Sequence, residues 1–402
     1  MKKLLLMFAA VGVLFAACNN KEIDVVYDDH SADLVGTWTC ITENYAEALI
    51  INADGTAVSY GVEDGEYWEN VRGTVVVKEG NITMTFEDND NFTGHFDIIP
   101  KQSFSLYENT GERYTYQYCA NDLADEIVGM WVCNDAKDNM RIQSFEENGN
   151  TVFSGWSEHL GEFSVLDNAN YKVVGDLIFQ GFPNGENSFS KYMAAKLIYT
   201  PNGTAHGDIM TFKHFLFDGA ESAESWLRIK QNLDLNNKNY DYDNIYVSNV
   251  KGEDKDIEFF NTTINFAKLN ASSLDKFLNA TIFSIMFPDA NTIKYSFLED
   301  QHTTLEAPIV VEGNKMTIKM STKKSAYKDV VVYAFQDADN TQMHIYMPTA
   351  SFEAFFANGQ IQQLEENGLL DINNAEAIAE IRNKIETAID SINISFIFKT
   401  AK

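Results

Sequence analysis

Short runs in which apolar and polar residues alternate recur along the chain, interrupted by glycine beside asparagine or aspartate. That pattern predicts antiparallel strands joined by tight hairpins, because Gly next to Asn or Asp supplies the positive φ angles of two-residue turns. Segments 48–52 and 57–60 flank Asp54-Gly55, and segments 74–77 and 82–86 flank Gly80-Asn81. The same order returns later, with Asn148-Gly149 dividing 142–145 from 152–155 and Gly175-Asp176 dividing 171–174 from 177–179. Each series opens alike: Asp33-Leu34-Val35-Gly36-Thr37-Trp38-Thr39-Cys40 recurs as Glu126-Ile127-Val128-Gly129-Met130-Trp131-Val132-Cys133, at one constant offset. Self-similarity of this kind predicts related domains in tandem.

A third, diverged copy follows. Asp289 precedes Tyr295 as Asp54 precedes Tyr60, and Glu312-Gly313-Asn314 leads into a strand as Glu79-Gly80-Asn81 does, but no Gly-x-Trp opens this portion. The expected organisation is therefore 33–121, 122–250 and 251–402. The last domain adds a helix near 374–390, read from the stripe Ala375, Ile378, Ile381, Ile385 and Ile389, with Asn373 and Glu376 as a capping pair. A closing strand follows, with Ile392, Ile394, Phe396 and Phe398 on one face.

Gly36-x-Trp38 and Gly129-x-Trp131 at the head of short antiparallel meanders resemble lipocalin-like (calycin-type) domains. The resemblance implies tandem β-barrels, with Gly36 and Gly129 turning the chain in and Trp38 and Trp131 closing one end. It also implies an arginine on the last strand packed across the tryptophan. Arg113 and Arg228 stand in the expected late strands, yet Arg113 alternates with Tyr114, Tyr116 and Tyr118, and Arg228 lies between Leu227 and Ile229. Both are therefore expected on the wet face.

The N-terminus has another character. Lys2 and Lys3 precede the apolar stretch 4–17, and Cys18 follows Ala16-Ala17 directly. This resembles a bacterial lipoprotein box, with Phe15 where leucine is commonest, and implies cleavage before Cys18, a lipid on that cysteine and attachment to a membrane. Residues 1–18 are then the signal and 19–32 an acidic tether. Lys21-Glu22 and Asp24 resemble the export signal of Bacteroidetes surface lipoproteins, many of which open with Gly-x-Trp domains, so the expected address is the outer membrane, periplasmic or surface-exposed.

Composition narrows the chemistry. With 59 acidic against 30 basic residues the 402-residue chain carries a net charge of −29, which disfavours nucleic acid as a partner. Thirteen per cent aromatic residues and only six prolines point to folded β domains. Once Cys18 is set aside, Cys40, Cys119 and Cys133 remain; a bridge between Cys40 and Cys119 would join the first and last strands of one barrel, but parity puts Cys40 on the face of Trp38 and Cys119 on that of Arg113 and Gln117, so Cys40 and Cys133 are read as buried small apolar residues. Seven scattered histidines, no paired-cysteine spacing, no nucleophile elbow and no phosphate loop give no catalytic residue, metal or cofactor to propose. The acidic stretches 87–91 and 337–340 lack calcium-loop spacing and read as solvated turns. The resulting expectation is a non-catalytic lipoprotein binding a small apolar or amphipathic ligand inside its barrels. The alternative is a glycan- or protein-binding lipoprotein using exposed aromatics, with Tyr67, Trp68 and Trp156 as candidate contacts.

Overall fold

The computed structural model describes residues 30–87, 91–107, 111–133, 140–157, 159–183, 189–201, 208–214, 222–259, 262–274, 284–296 and 304–401. Cys18, the signal and most of the tether lie outside the described residues. The chain forms three closed, eight-stranded antiparallel barrels in tandem, consistent with the lipocalin-like fold that the resemblance implies.

The first barrel runs β1 (Gly36–Ile41), β2 (Tyr45–Ile51), β3 (Thr56–Glu63), β4 (Glu66–Lys78), β5 (Asn81–Phe86), β6 (Asn91–Ile99), β7 (Ser103–Tyr107) and β8 (Arg113–Cys119). The second runs β9 (Gly129–Cys133), β10 (Arg141–Phe145), β11 (Asn150–Ser157), β12 (Glu162–Val174), β13 (Leu177–Pro183), β14 (Phe189–Thr200), β15 (Ile209–His214) and β16 (Ser222–Ile229), which returns to β9. The third opens with β17 (Lys238–Gly252), detours through the small hairpin β18 (Ile257–Phe259) and β19 (Thr262–Ile264), and continues as β20 (Ser284–Asp289), β21 (Thr292–Ser296), β22 (Thr304–Glu312), β23 (Lys315–Ile318), β24 (Val330–Gln336), β25 (Gln342–Met347) and β26 (Ile389–Thr400). The boundary expected at 250 falls inside β17, the first strand of the third barrel. By compactness the chain divides into two units, one holding 37–49, 59–70 and everything from 119 onward, the other 30–36, 50–58 and 71–118.

The expected hairpins are present, though the Asn148-Gly149 turn spans three residues, since the Glu146 N–H donates to the Asn150 carbonyl. Gly175 and Asp176 are a two-residue turn between paired Val174 and Leu177, and Gly313 and Asn314 do the same between Glu312 and Lys315. In the first barrel Lys78 pairs with Asn81, so the turn residues are Glu79 and Gly80, one position earlier than the motif Gly80-Asn81 suggests.

Two helices join β25 to β26: α1 (Thr349–Glu366) and α2 (Ala375–Glu386). The amphipathic stripe correctly marks α2, but its cap is Asn374, whose side chain accepts from the Ala377 N–H at 3.1 Å, and Ile389 already belongs to β26. α1 has no such stripe. Its buried residues include Ser351, Phe352, Ala354, Phe356, Ala357, Asn358, Gln360 and Ile361, so it is covered on several sides and gives little periodic signal. Asn358 ties the helices to the barrel: it bonds both the N–H and the carbonyl of Lys328 and accepts from Arg382 Nη2 at 3.1 Å.

Burial, with Glu386 adding repulsion against the attraction of Lys328, pushes the Glu353 carboxyl on α1 up to about 7. A raised acid pKa favours the folded state below the unfolded value and withdraws that stability as pH rises through the folded value. Glu353→Gln is therefore expected to raise stability by about 1 kcal/mol at pH 8, discounted for partial exposure, and to leave it unchanged near pH 4.5. Urea unfolding at the two pH values measures the difference; an equal effect at both contradicts the assignment. His344 runs oppositely, since burial alone lowers it to about 4 and its contribution is lost as pH falls from the unfolded value toward that point.

The second and third barrels are not beads on a flexible string. Trp156 and Phe163 of the second meet Tyr333, Phe335 and Tyr346 of the third in one apolar cluster, with ring centroids 5.0 to 5.7 Å apart. The connecting segment is clamped to the β24–β25 hairpin. Gln336 Nε2 donates to the Asp234 carbonyl and to the Tyr240 hydroxyl, Gln336 Oε1 accepts from the Asp234 N–H, and the Lys230 N–H donates to the Gln336 carbonyl. Asp337, read from sequence as part of a solvated turn, is fully buried and accepts from the Thr341 and Gln342 N–H groups. The turn it organises packs against the inter-barrel linker, so its first carboxylate is removed from solvent.

Candidate functional site

The closed end of the second barrel is built around Trp131, which is completely buried and donates its Nε1–H to the Ile127 carbonyl at 2.7 Å. Arg228 of β16 pairs with Trp131 across the strands and lays its guanidinium 4.6 Å from the indole centroid. The same guanidinium donates to the carbonyls of Val128 and Glu126 and forms an ion pair with Asp208 at 3.3 Å. This overturns the expectation of a solvated Arg228. Its neighbours Leu227 and Ile229 do face outward, but that outer face is covered by Tyr333, Phe335 and Tyr346 of the third barrel. An apolar outer face reversed the phase that alternation seemed to give.

The first barrel solves the same problem with other residues. Lys101 Nζ donates to the Val35 carbonyl at 2.6 Å, as Arg228 does to Val128, and sits 4.5 Å above the Tyr118 ring. Tyr118 occupies the space over Gly36, where an added Cβ would stand 2.7 Å from its ring. Gly36 and Gly129 have φ of +143° and +132°, a conformation that side chains resist, which explains glycine at both heads. Arg113 is exposed as expected, bonding Ser105 and lying 5.4 Å from the Tyr107 ring.

Toward the other end the barrels diverge. In the first, Tyr45 and Ser59 hydroxyls each donate to the Glu47 carboxylate at 2.5 Å, and Trp68 Nε1 donates to Ser59 Oγ at 2.8 Å. The Trp68 indole lies over Gly61 so closely that a Cβ there would be 2.1 Å from the ring. Trp68 is therefore a plug on the inner wall and not an exposed contact. Gly61→Ala is expected to displace it and cost about 1–3 kcal/mol of first-barrel stability, measured by thermal unfolding; a neutral effect contradicts the plug. The third barrel is filled by its own side chains, with Tyr240, Phe287, Met316, Ala334 and Met343 among those fully buried.

The second barrel carries a different inner wall. On the second strand of this barrel, as Glu47 is on that of the first, stands Arg141, whose Nη2 contacts Glu224 Oε1 at 2.6 Å while its guanidinium lies 5.6 Å from the Trp226 ring. The two side chains keep 31% and 19% of their surface exposed, so solvent reaches this pair inside the barrel. Phe153 and Phe182 reach toward one another at 5.7 Å, and Gln143 Nε2 donates to Thr151 Oγ1. Where Gly61 carries an indole, Gly155 meets Leu166, itself 56% exposed. Below this polar tier the lumen is packed by Phe145, Ile178, Leu197, Met210 and Phe212. The arrangement sets two phenylalanines beside a partly exposed charged pair, a lining compatible with ligand binding.

The aromatic contacts expected from sequence do not assemble. Tyr67 stacks on Tyr192 at 4.2 Å and meets Phe179, Trp68 plugs its own barrel, and Trp156 sits in the cluster between the second and third barrels. All three lie in strands, so none is an exposed loop residue. Arg141, Gln180, Glu224 and Trp226 escaped notice, although Glu224-x-Trp226-x-Arg228 places all three on one strand face and its phase could have been tied to Trp131. Cys40, Cys119 and Cys133 are buried thiols, and burial raises Cys119 to about 11. Among the described residues no cluster of His, Cys, Asp or Glu could hold a metal ion, and no helix is long and apolar enough to cross a membrane. No protein-family model and no curated protein matches the sequence.

Proposed function

We propose that the chain is a non-catalytic lipoprotein, held to a membrane by lipid on Cys18, whose second barrel binds a small amphipathic molecule. The observation that carries the binding half is the contrast between equivalent inner walls: Glu47 is buried under Tyr45, Ser59 and Trp68, whereas Arg141 and Glu224 remain partly exposed within theirs. A wall with two phenylalanines below a charged pair suits a ligand with one apolar and one polar end. The anchor rests on Lys2, Lys3, the apolar stretch and Cys18. The glycan- or protein-binding alternative loses its support, since Tyr67, Trp68 and Trp156 are packed within the fold.

Both halves are testable. Cys18→Ser, once its signal is cleaved, is expected to move the protein from the membrane to the soluble fraction with its unfolding temperature unchanged; continued membrane partitioning of the cleaved chain contradicts the anchor. The soluble Cys18→Ser chain is expected to enhance the fluorescence of N-phenyl-1-naphthylamine with saturation at one site. Phe153→Asp is expected to abolish that signal while circular dichroism stays unchanged, whereas a signal indifferent to Phe153→Asp contradicts binding in the second barrel.

A further inference from the structure

Two neutral hydrogen-bond donors on the inner wall of the second barrel have no acceptor among the described residues: Trp226 Nε1 and Gln180 Nε2. Both residues are deeply buried, with 3% and 7% of their surface exposed. Trp226 shares its strand face with Glu224 and Arg228 and packs with Phe212 and Met210 in the lumen. Gln180 pairs with Tyr171 and Met193, and its strand face also carries Ile178, which lines the same interior, and Phe182. A buried donor without an acceptor costs about 1–3 kcal/mol, so two on one wall are a demand for acceptor oxygens.

The charge of those oxygens follows from the same wall. The cation there, Arg141, is already matched by Glu224 at 2.6 Å, so the pair is electrically balanced. Trp226 and Gln180 are neutral donors, and the protein as a whole carries a net charge of −29. Transferring an anion into such a lumen costs desolvation, and among the described residues no unmatched positive charge offsets that cost. A carbonyl oxygen accepts from neutral donors without that cost, and an ammonium head, which only donates, leaves both donors unmet. We propose that the second barrel selects a neutral amphipath with a carbonyl head, such as an ester, lactone or ketone, its carbonyl oxygen accepting from Trp226 and Gln180 and its apolar chain against Phe153 and Phe182. The proposal rests on the reading of this lumen as a ligand site.

Three ten-carbon probes, γ-decalactone, decanoate and decylamine, titrated calorimetrically into the soluble Cys18→Ser chain at pH 7, separate the alternatives. The lactone is expected to bind about tenfold more tightly than decanoate, with decylamine weaker still. Gln180→Leu and Trp226→Phe keep the apolar volume but remove one donor each, and each is expected to weaken the lactone by about three- to tenfold. Glu224→Gln releases Arg141 and is expected to shift preference toward decanoate. Equal affinity for all three probes, or decanoate as the tightest, overturns the carbonyl head while leaving a ligand-binding lumen in place. Binding by none of them, in a chain whose circular dichroism is native, overturns both.

Discussion

Replacing Trp131 with alanine is expected to destabilise the second barrel by about 3–5 kcal/mol, the range for truncating a buried large aromatic side chain. The indole is fully buried, bonds the Ile127 carbonyl, and packs with Leu123, Phe145 and Phe212 at the closed end. Its loss removes that apolar area, leaves a cavity, and strips the surface over which Arg228 lies. The change is expected to reach the third barrel, because the outer face of β9 and β16 supplies Val132, Leu227 and Ile229 to the cluster with Tyr333 and Tyr346. Chemical denaturation followed by tryptophan fluorescence measures the loss. A cost below about 1 kcal/mol contradicts the role of Trp131 as the closing residue.

Arg228→Ala is the second large effect, expected at about 2–4 kcal/mol. The guanidinium serves the Val128 and Glu126 carbonyls, Asp208 and the Trp131 ring together, so its removal leaves buried acceptors and a carboxylate without their partner. Asp208 keeps its bond from the Tyr199 hydroxyl at 2.8 Å. Arg113→Ala is the control, because Arg113 is exposed, bonding Ser105 and lying against the Tyr107 ring. It is expected to fall within about 0.5 kcal/mol of the parent. Comparable effects from the two arginines contradict the distinction between a closing and a solvated residue.

Much of the architecture was legible because strand hairpins announce themselves locally. Gly175-Asp176 and Gly313-Asn314 mark turns that the pairing places where the motifs stand, and the Gly-x-Trp repeat marks two barrel heads. What escaped was set by contacts distant in sequence. Arg228 looked solvated because alternation cannot tell an outer face wetted by water from one covered by another barrel. Trp156 looked like an exposed ligand contact for the same reason, being outward on β11 yet packed against Tyr333 and Tyr346. α1 was hidden because burial on several sides erases the stripe by which α2 was found. Asp337 looked solvated because its turn is acidic, while its partners Thr341 and Gln342 and the neighbouring linker take it out of water.

The candidate site was the least legible part. Glu47 and Arg141 stand on the second strands of two repeats, but only the side chains around them decide how far each is covered: Trp68 bonds Ser59 over the first, whereas Arg141 keeps 31% of its side-chain surface exposed. Repetition of a scaffold preserved the strands and the closing end, while the opposite end changed its lining. That division fits a fold in which one end supplies stability and the other varies.

The most direct test of ligand binding in the second barrel uses the indole N–H signals of the five tryptophans. Their assignment by single Trp→Phe variants allows saturating N-phenyl-1-naphthylamine to be located from shifts in a 1H–15N spectrum of the Cys18→Ser chain. The account predicts that the Trp226 signal moves most, with Trp38 and Trp68 of the first barrel unmoved. A spectrum in which Trp68 moves and Trp226 does not, or in which no indole responds at saturation, contradicts it.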